Sequence, residues 1–211
     1  VDELFAGSEP AHPVLLALRE TVERIGLRAD PFLALIDANV QDQQVRAYAT
    51  WPALRAYCTL SAAPVGRMVL AVFGIEDARA AGLSDDVCIG LQLANFAQDV
   101  ARDAALGRRY LVEADVAEGG VVGAIRTLCE RARSLLAAGV ALEHGVGPAL
   151  RMQLALYRLG GLTICDAVAA GGYRTDLVRP TLSKATQLGL VVRVLATTAF
   201  ARGGSRHAQP A

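Results

Sequence analysis

The stretch that decides the fold reads Gln92-Leu-Ala-Asn95-Phe-Ala-Gln-Asp99-Val-Ala-Arg-Asp103-Ala-Ala-Leu-Gly-Arg108-Arg109-Tyr110. Asn95, Asp99 and Asp103 recur every four residues, so on a helix they stack along one face, a turn apart. Gln92 extends this polar stripe, and Leu91, Leu93, Ala94, Phe96, Ala97 and Val100 surround it with apolar groups. Two like charges at this spacing repel, so on an apolar helix they need solvent or a cation. Oxygen donors at this density, with room left for water, suit Mg²⁺ bridged to a phosphate. The pattern predicts a helix that stops at Gly107, with Arg108 and Arg109 following at once. A guanidinium there can hold the same phosphate from the other side. A solvated helix face closed by a basic C-terminus, which the macrodipole favours, fits the same letters.

Outward from this stretch the pattern is helical throughout. Pro13 to Gly26 is amphipathic, with Pro in the first turn and Gly at the end. Asp30-Pro31 opens a second helix with Asp30 as its cap, and Thr50-Trp51-Pro52 opens a third through Tyr57 and Cys58. Pro64-Val65-Gly66 predicts a break or a close backbone approach. Ser84-Asp85-Asp86 reads as the cap of the helix carrying the aspartates, and Tyr110 to Ala117 as a connector. Val121–Gly139, Pro148–Ala170 interrupted at Gly160-Gly161, and Pro180–Phe200 complete the set, with a tail from Gly203. Strand signals are nearly absent. The fold class is all-α, in a single domain over residues 1–211.

Composition narrows the function. Twenty-one acidic and twenty-one basic side chains cancel, so no global field recruits nucleic acid. Hydrophobic residues make up 53% but aromatics only 5%, an excess of Ala, Leu and Val suited to tight helix packing or an apolar cavity. The most apolar run, Leu188 to Ala201, is short for a membrane span and carries Arg193. The cysteines Cys58, Cys88, Cys129 and Cys165 are scattered and read as buried free thiols of a reducing cytosol. His12, His144 and His207 occupy chain ends or helix ends, and Trp51 reads as a core anchor.

Taken together, Tyr57-Cys58, Ser61-Ala-Ala-Pro-Val-Gly-Arg67, Leu91-Gln-Leu-Ala-Asn-Phe-Ala-Gln-Asp99 with Asp103, and Gly107-Arg-Arg-Tyr-Leu111 resemble the squalene/phytoene synthase family. Among its members, the bacterial hydroxysqualene synthase branch is the most similar. The resemblance implies an isoprenoid-synthase helical fold around a central apolar cavity, with Mg²⁺ held on a prenyl diphosphate by two aspartate-rich helices. Asp99 and Asp103 match the second of these motifs, and Asn95 completes the implied metal set. Arg108 and Tyr110 match positions near the diphosphate, whereas Arg109 falls at a variable, surface position. Gln92, Tyr57, Val65, Gly66 and Arg46 are the implied substrate-binding residues. The first aspartate-rich motif has no match, and a chain beginning at Val1 is expected to be N-terminally truncated and to lack the first helices of the fold. The implied activity is conversion of presqualene diphosphate to hydroxysqualene in hopanoid or squalene biosynthesis. Head-to-head condensation of two prenyl diphosphates, with farnesyl diphosphate as a substrate, and a non-catalytic assembly partner of the same fold are the alternatives. A cytoplasmic protein with peripheral contact at the inner membrane face is expected.

Overall fold

The computed structural model describes residues 1–7 and 11–203. The helices are α1 (Asp2–Phe5), α2 (Pro13–Ile25), α3 (Asp30–Gln44), α4 (Trp51–Ser61), α5 (Ala63–Val72), α6 (Ala78–Gln98), α7 (Val100–Ala105), α8 (Glu113–Gly145), α9 (Pro148–Ala170) and α10 (Lys184–Gly203). Two short strands, β1 (Ala47–Tyr48) and β2 (Arg109–Val112), lie between them. The tail beyond Gly203, with His207, lies outside the described residues.

Helix starts follow the capping chemistry of the sequence. Thr50 Oγ1 accepts from Ala53 N at 3.4 Å, and Asp77 Oδ2 accepts from Ala80 N at 2.7 Å. Such side-chain oxygens satisfy donors that a first helical turn leaves free. Asp77, rather than Ser84-Asp85-Asp86, therefore starts the long helix. The latter residues lie inside α6, where Asp85 pairs with Arg67 on α5 and Asp86 with Arg55 on α4. Asp30 is the first residue of its helix rather than the cap, and its carboxylate pairs with Arg28. The break before α5 falls at Ala62, with Pro64 in the new helix's first turn.

Helix α6 runs through the middle, against α8, α9 and α5. Its approach to α8 is set by Gly90. A Cβ there would lie 2.9 Å from Leu136 Cγ and 3.1 Å from the Ala132 carbonyl. Leu54, Leu93, Ile125, Leu128 and Cys165 fill the principal core around this contact. A second cluster of Leu70, Leu142, Leu150 and Leu154 lies under α5 and α9. Gly160-Gly161 does not interrupt α9, because Leu91 and Leu136 pack into the space that a Gly161 side chain would take. The eighth helix begins at Glu113 and turns a corner at Gly120, whose φ of 66° lies in the left-handed region. All four cysteines are free thiols; Cys88 is half-buried and the others are buried.

Strands β1 and β2 correct the expectation of a plain connector after Gly107. They pair in parallel, Ala47 with Arg109 and Tyr48 with Val112, and Arg109 N donates to the Arg46 carbonyl at 2.8 Å. A ladder this short leaves almost no periodic trace in sequence. It nevertheless brings the end of α3 against the residues that follow the aspartates.

Candidate functional site

The helix expected from the Ser84 cap to Gly107 is broken at Asp99, whose φ and ψ are −102° and 18°. Asp99 thus ends α6 and precedes α7. Hydrogen bonds from Asp99 N to the Asn95 carbonyl (2.9 Å) and from Asp103 N to the Asp99 carbonyl (2.8 Å) survive. The Ala101 N–H, which in a continuous helix would donate to the Ala97 carbonyl, donates instead to the Thr175 carbonyl at 3.1 Å. Thr175 Oγ1 in turn donates to the Ala97 carbonyl at 2.6 Å. The segment after α9 therefore straps the kink, and Gln98 Nε2 donates to the Pro180 carbonyl at 2.8 Å to close it.

The two aspartates differ in their partners. Asp99 Oδ1 accepts from Arg179 Nε on the strap, and Arg102 Nη1 stands 3.7 Å from Asp99 Oδ2. Asp103 forms no ion pair among the described residues. Burial first, and then the charge of Asp99, push its carboxyl up to about 6, against the pull of Arg102 and Arg108. A half-buried carboxylate with so raised a pKa is a group short of positive charge.

Beside them lies a network that the sequence only partly foretold. Arg108 Nη1 is 3.4 Å from Asp42 Oδ2, and the Tyr110 hydroxyl donates to Asp42 Oδ1 at 3.1 Å. The Tyr57 ring stacks on the Tyr110 ring with centroids 5.7 Å apart. Burial raises both phenols, so neither ionises near neutral pH. The Tyr48, Tyr57, Phe96 and Tyr110 rings cluster behind this network, with Phe96 and Tyr110 stacked at 3.8 Å and 7°. The β1–β2 ladder makes this possible, since it sets Tyr48 next to Tyr110.

Of the predicted residues, Arg108 and Tyr110 thus converge on Asp42 with the Tyr57 ring stacked against Tyr110, and Asp99 and Asp103 follow one another a turn apart beside them. Asn95 is exposed and Gln92 half-buried on the preceding turns of α6. Arg46 stays apart: its side chain is exposed, and its recorded part in the site is the carbonyl that anchors β2. Arg109 is exposed and pairs with Glu113. Val65 and Gly66 lie at the other end of α6, where Gly66 abuts Ser84 and Cys88. There they line an apolar cavity of about 260 Å³ with Val87, Leu91, Leu154 and Tyr157. At about 1.5 Å per residue, Ser84 and Cys88 stand roughly 17–22 Å from Asp99 along the helix. A second cavity of about 490 Å³ borders Asp103 on the Phe96, Val100, Ala104, Leu111 and Val116 side.

Asp42, Thr175 and Arg179 were not singled out as site residues from sequence. Each acts across a long separation: Asp42 is 68 residues from Tyr110, and Arg179 is 80 from Asp99. No local spacing reports such pairs.

As a metal site, the residues make half a cage. No group of three or more His, Cys, Asp or Glu side chains among the described residues is placed to hold an ion. Two hard carboxylates, one of them in no ion pair among the described residues, do fit Mg²⁺ that keeps its waters and leans on a phosphate.

The mostly helical frame matches squalene synthase-like structures. The squalene/phytoene synthase family model matches residues 1–186, and the chain belongs to that family. It is 34% identical over 116 residues to a hydroxysqualene synthase of Zymomonas mobilis, covering 54% of this chain and 39% of that protein. To a hydroxysqualene synthase of Sinorhizobium fredii it is 35% identical over 150 residues, covering 67% and 51%. The chain thus spans about half the length, or less, of these curated relatives. Among solved structures, a squalene synthase, HpnC, from Alicyclobacillus acidocaldarius superposes with a TM-score of 0.78 at 43% identity. That match covers 81% of this chain and 70% of the other. No helix among the described residues is long and apolar enough to cross a membrane.

Proposed function

We propose that the chain works in a Mg²⁺-dependent isoprenoid synthase that converts presqualene diphosphate to hydroxysqualene. The observation that carries this reading is the Asp103 carboxylate, half-buried beside Asp99, in no ion pair among the described residues, and bordering an apolar cavity. Asp99, Asp103 and Asn95 would hold the cation, and Arg108 would bind the diphosphate from the far side. Bound Mg²⁺ supplies charge neutralisation that makes diphosphate a competent leaving group.

The chain's own residues do the rest. Asn95, Gln92, Leu91, Cys88 and Ser84 follow one another along one face of α6. A hydrocarbon tail laid on that face, with its diphosphate at Asp99, reaches the Val65–Gly66 cavity. Leu91, Val87 and Leu154 give the tail an apolar seat there, and Phe96, Val100 and Leu111 beside Asp103 limit the water that reaches the carbon from which diphosphate departs. Asp42 fixes the Arg108 guanidinium and the Tyr110 hydroxyl, and the ring cluster keeps both phenols protonated as donors. The family resemblance to hydroxysqualene synthases supports water as the final nucleophile. Presqualene diphosphate synthases of Rhodopseudomonas palustris and Sinorhizobium fredii are 35% and 32% identical over similar spans, which keeps coupling of two farnesyl diphosphates as the second reading.

The test is product analysis by mass spectrometry, on the chain and on any longer gene product that contains it. Each is incubated with Mg²⁺ and either presqualene or farnesyl diphosphate, beside an Asp99→Asn/Asp103→Asn variant. Hydroxysqualene from presqualene diphosphate, lost in the variant, is expected. Presqualene diphosphate or another coupled product from farnesyl diphosphate would move the assignment to the second reading. Absence of Mg²⁺-dependent turnover in every form would refute the enzymatic reading and favour an assembly role.

A further inference from the structure

The kink at Asp99 has no cause within its own helix. Residues 91–106 contain neither Pro nor Gly. Sharp helix bends without those residues arise where another group inserts into the hydrogen-bond ladder. That group is Thr175. It is 2% exposed, its hydroxyl caps the Ala97 carbonyl, and its own carbonyl takes the Ala101 N–H. One residue thus occupies both backbone groups that a straight helix would join to each other.

Thr175 is itself held in place. The chain leaves α9 through Gly171-Gly172-Tyr173, where Gly172 and Tyr173 have φ of 65° and 57°. Tyr173 N donates to the Val168 carbonyl at 3.0 Å, and the Arg126 guanidinium lies over the Tyr173 ring at 5.0 Å. After Thr175, Leu177 N and Val178 N both donate to the Arg174 carbonyl, which turns the chain so that Arg179 reaches Asp99. A left-handed tyrosine is a conformation most residues avoid, and here it aims the threonine at the ladder.

We propose that Thr175 is a positioning residue for the aspartate pair: by splitting the Ala97–Ala101 helical bond it sets the bend that places Asp99 and Asp103 to share a divalent cation with a diphosphate. The proposal rests on the reading that these carboxylates bind that cation. Its physical basis is the direction of the two side chains. In a straight helix they would project from one face a turn apart, with the fixed offset of an i, i+4 pair. With ψ of Asp99 at 18° the helix axis is redirected between them, and their relative placement is decided by the wedge.

The test measures Mn²⁺ binding by electron paramagnetic resonance in the presence of inorganic pyrophosphate. It compares wild type, Thr175→Val, Thr175→Ser, and the Asp99→Asn/Asp103→Asn variant. Outer-shell partners of metal ligands typically govern affinity by 10–100-fold, so Thr175→Val is expected to weaken Mn²⁺ by about tenfold, and Thr175→Ser to stay within about twofold of wild type. Thr175→Ala covers the case in which the valine variant does not fold, and is expected to weaken Mn²⁺ as well. Gly90→Ala, which disturbs the distant α6–α8 contact, serves as a control for general destabilisation and should leave Mn²⁺ affinity unchanged. Unaltered Mn²⁺ affinity in Thr175→Val or Thr175→Ala, with the aspartate variant impaired, would overturn the proposal while leaving the aspartate reading intact. A wild type that binds Mn²⁺ no better than the aspartate variant would remove both.

Discussion

Substitution of Asp103 by Asn should make the ligand-free protein more stable at neutral pH, although it removes a group proposed to bind the cation. The carboxyl is raised from 3.8 to about 6 by burial and by Asp99. The folded state therefore binds a proton more readily than the unfolded chain between about pH 4 and 6, and stability declines as pH rises through that window. At full value a shift of about two units is worth roughly 3 kcal/mol, but solvent screening of a half-exposed group reduces this to about 1 kcal/mol. For a chain of this size that corresponds to roughly 2–4 °C in Tm. Asp103→Asn should thus melt about 3 °C above wild type at pH 7.5, and the gap should close by pH 4, where both side chains are neutral. Saturating Mg²⁺ with pyrophosphate should reverse the order, since a ligand at a hundred times its Kd stabilises the form that binds it by about 2.7 kcal/mol. Thermal melts at pH 7.5, 5 and 4, with and without Mg²⁺-pyrophosphate, decide the matter. A pH-independent difference, or a less stable variant at pH 7.5 without ligand, would refute the argument that Asp103 is held charged at a cost.

Other perturbations separate the framework from the site. Gly90→Ala should destabilise by about 1–3 kcal/mol in urea titrations, because its methyl would meet Leu136 and the Ala132 carbonyl with no flexible neighbour to yield. Arg158→Ala should cost about 3 kcal/mol by the same measurement, since Glu143, only 8% exposed, would lose the guanidinium 2.5 Å away and be left buried and charged. Val65→Trp should abolish turnover of a prenyl diphosphate by filling the cavity that Val65 lines, while Mn²⁺-pyrophosphate binding stays within about twofold of wild type, as expected for sites this far apart.

The helical class was legible because apolar spacing, Pro at helix starts and Gly at helix ends are local signals. The aspartate stripe was legible for the same reason: Asn95, Asp99 and Asp103 fall at one spacing in one segment. What the sequence hid is the set of groups that act on the stripe from elsewhere. Thr175 carries no signature, since a threonine after two glycines reads as an ordinary turn. Asp42 ends an unremarkable helix, and only the parallel pairing of Ala47-Tyr48 with Arg109–Val112 brings it to Tyr110. The break at Asp99 leaves no local trace either, because residues 91–106 carry no Pro or Gly and the bend is imposed from outside.

The β1–β2 ladder also bears on the order in which the chain acquires its structure. Joining Ala47 to Arg109 closes a loop of about 60 residues, at an entropic cost of roughly 4 kcal/mol on the logarithmic scale of loop closure, for two pairs of strand residues in return. Contacts of that kind form only once the intervening helices have already drawn the ends together. Substitutions in the ladder and in the tyrosine cluster behind it should therefore speed unfolding and leave the folding rate nearly unchanged. The corner formed by Asp42, Arg108 and Tyr110 would be the last part of the molecule to set and the first to loosen.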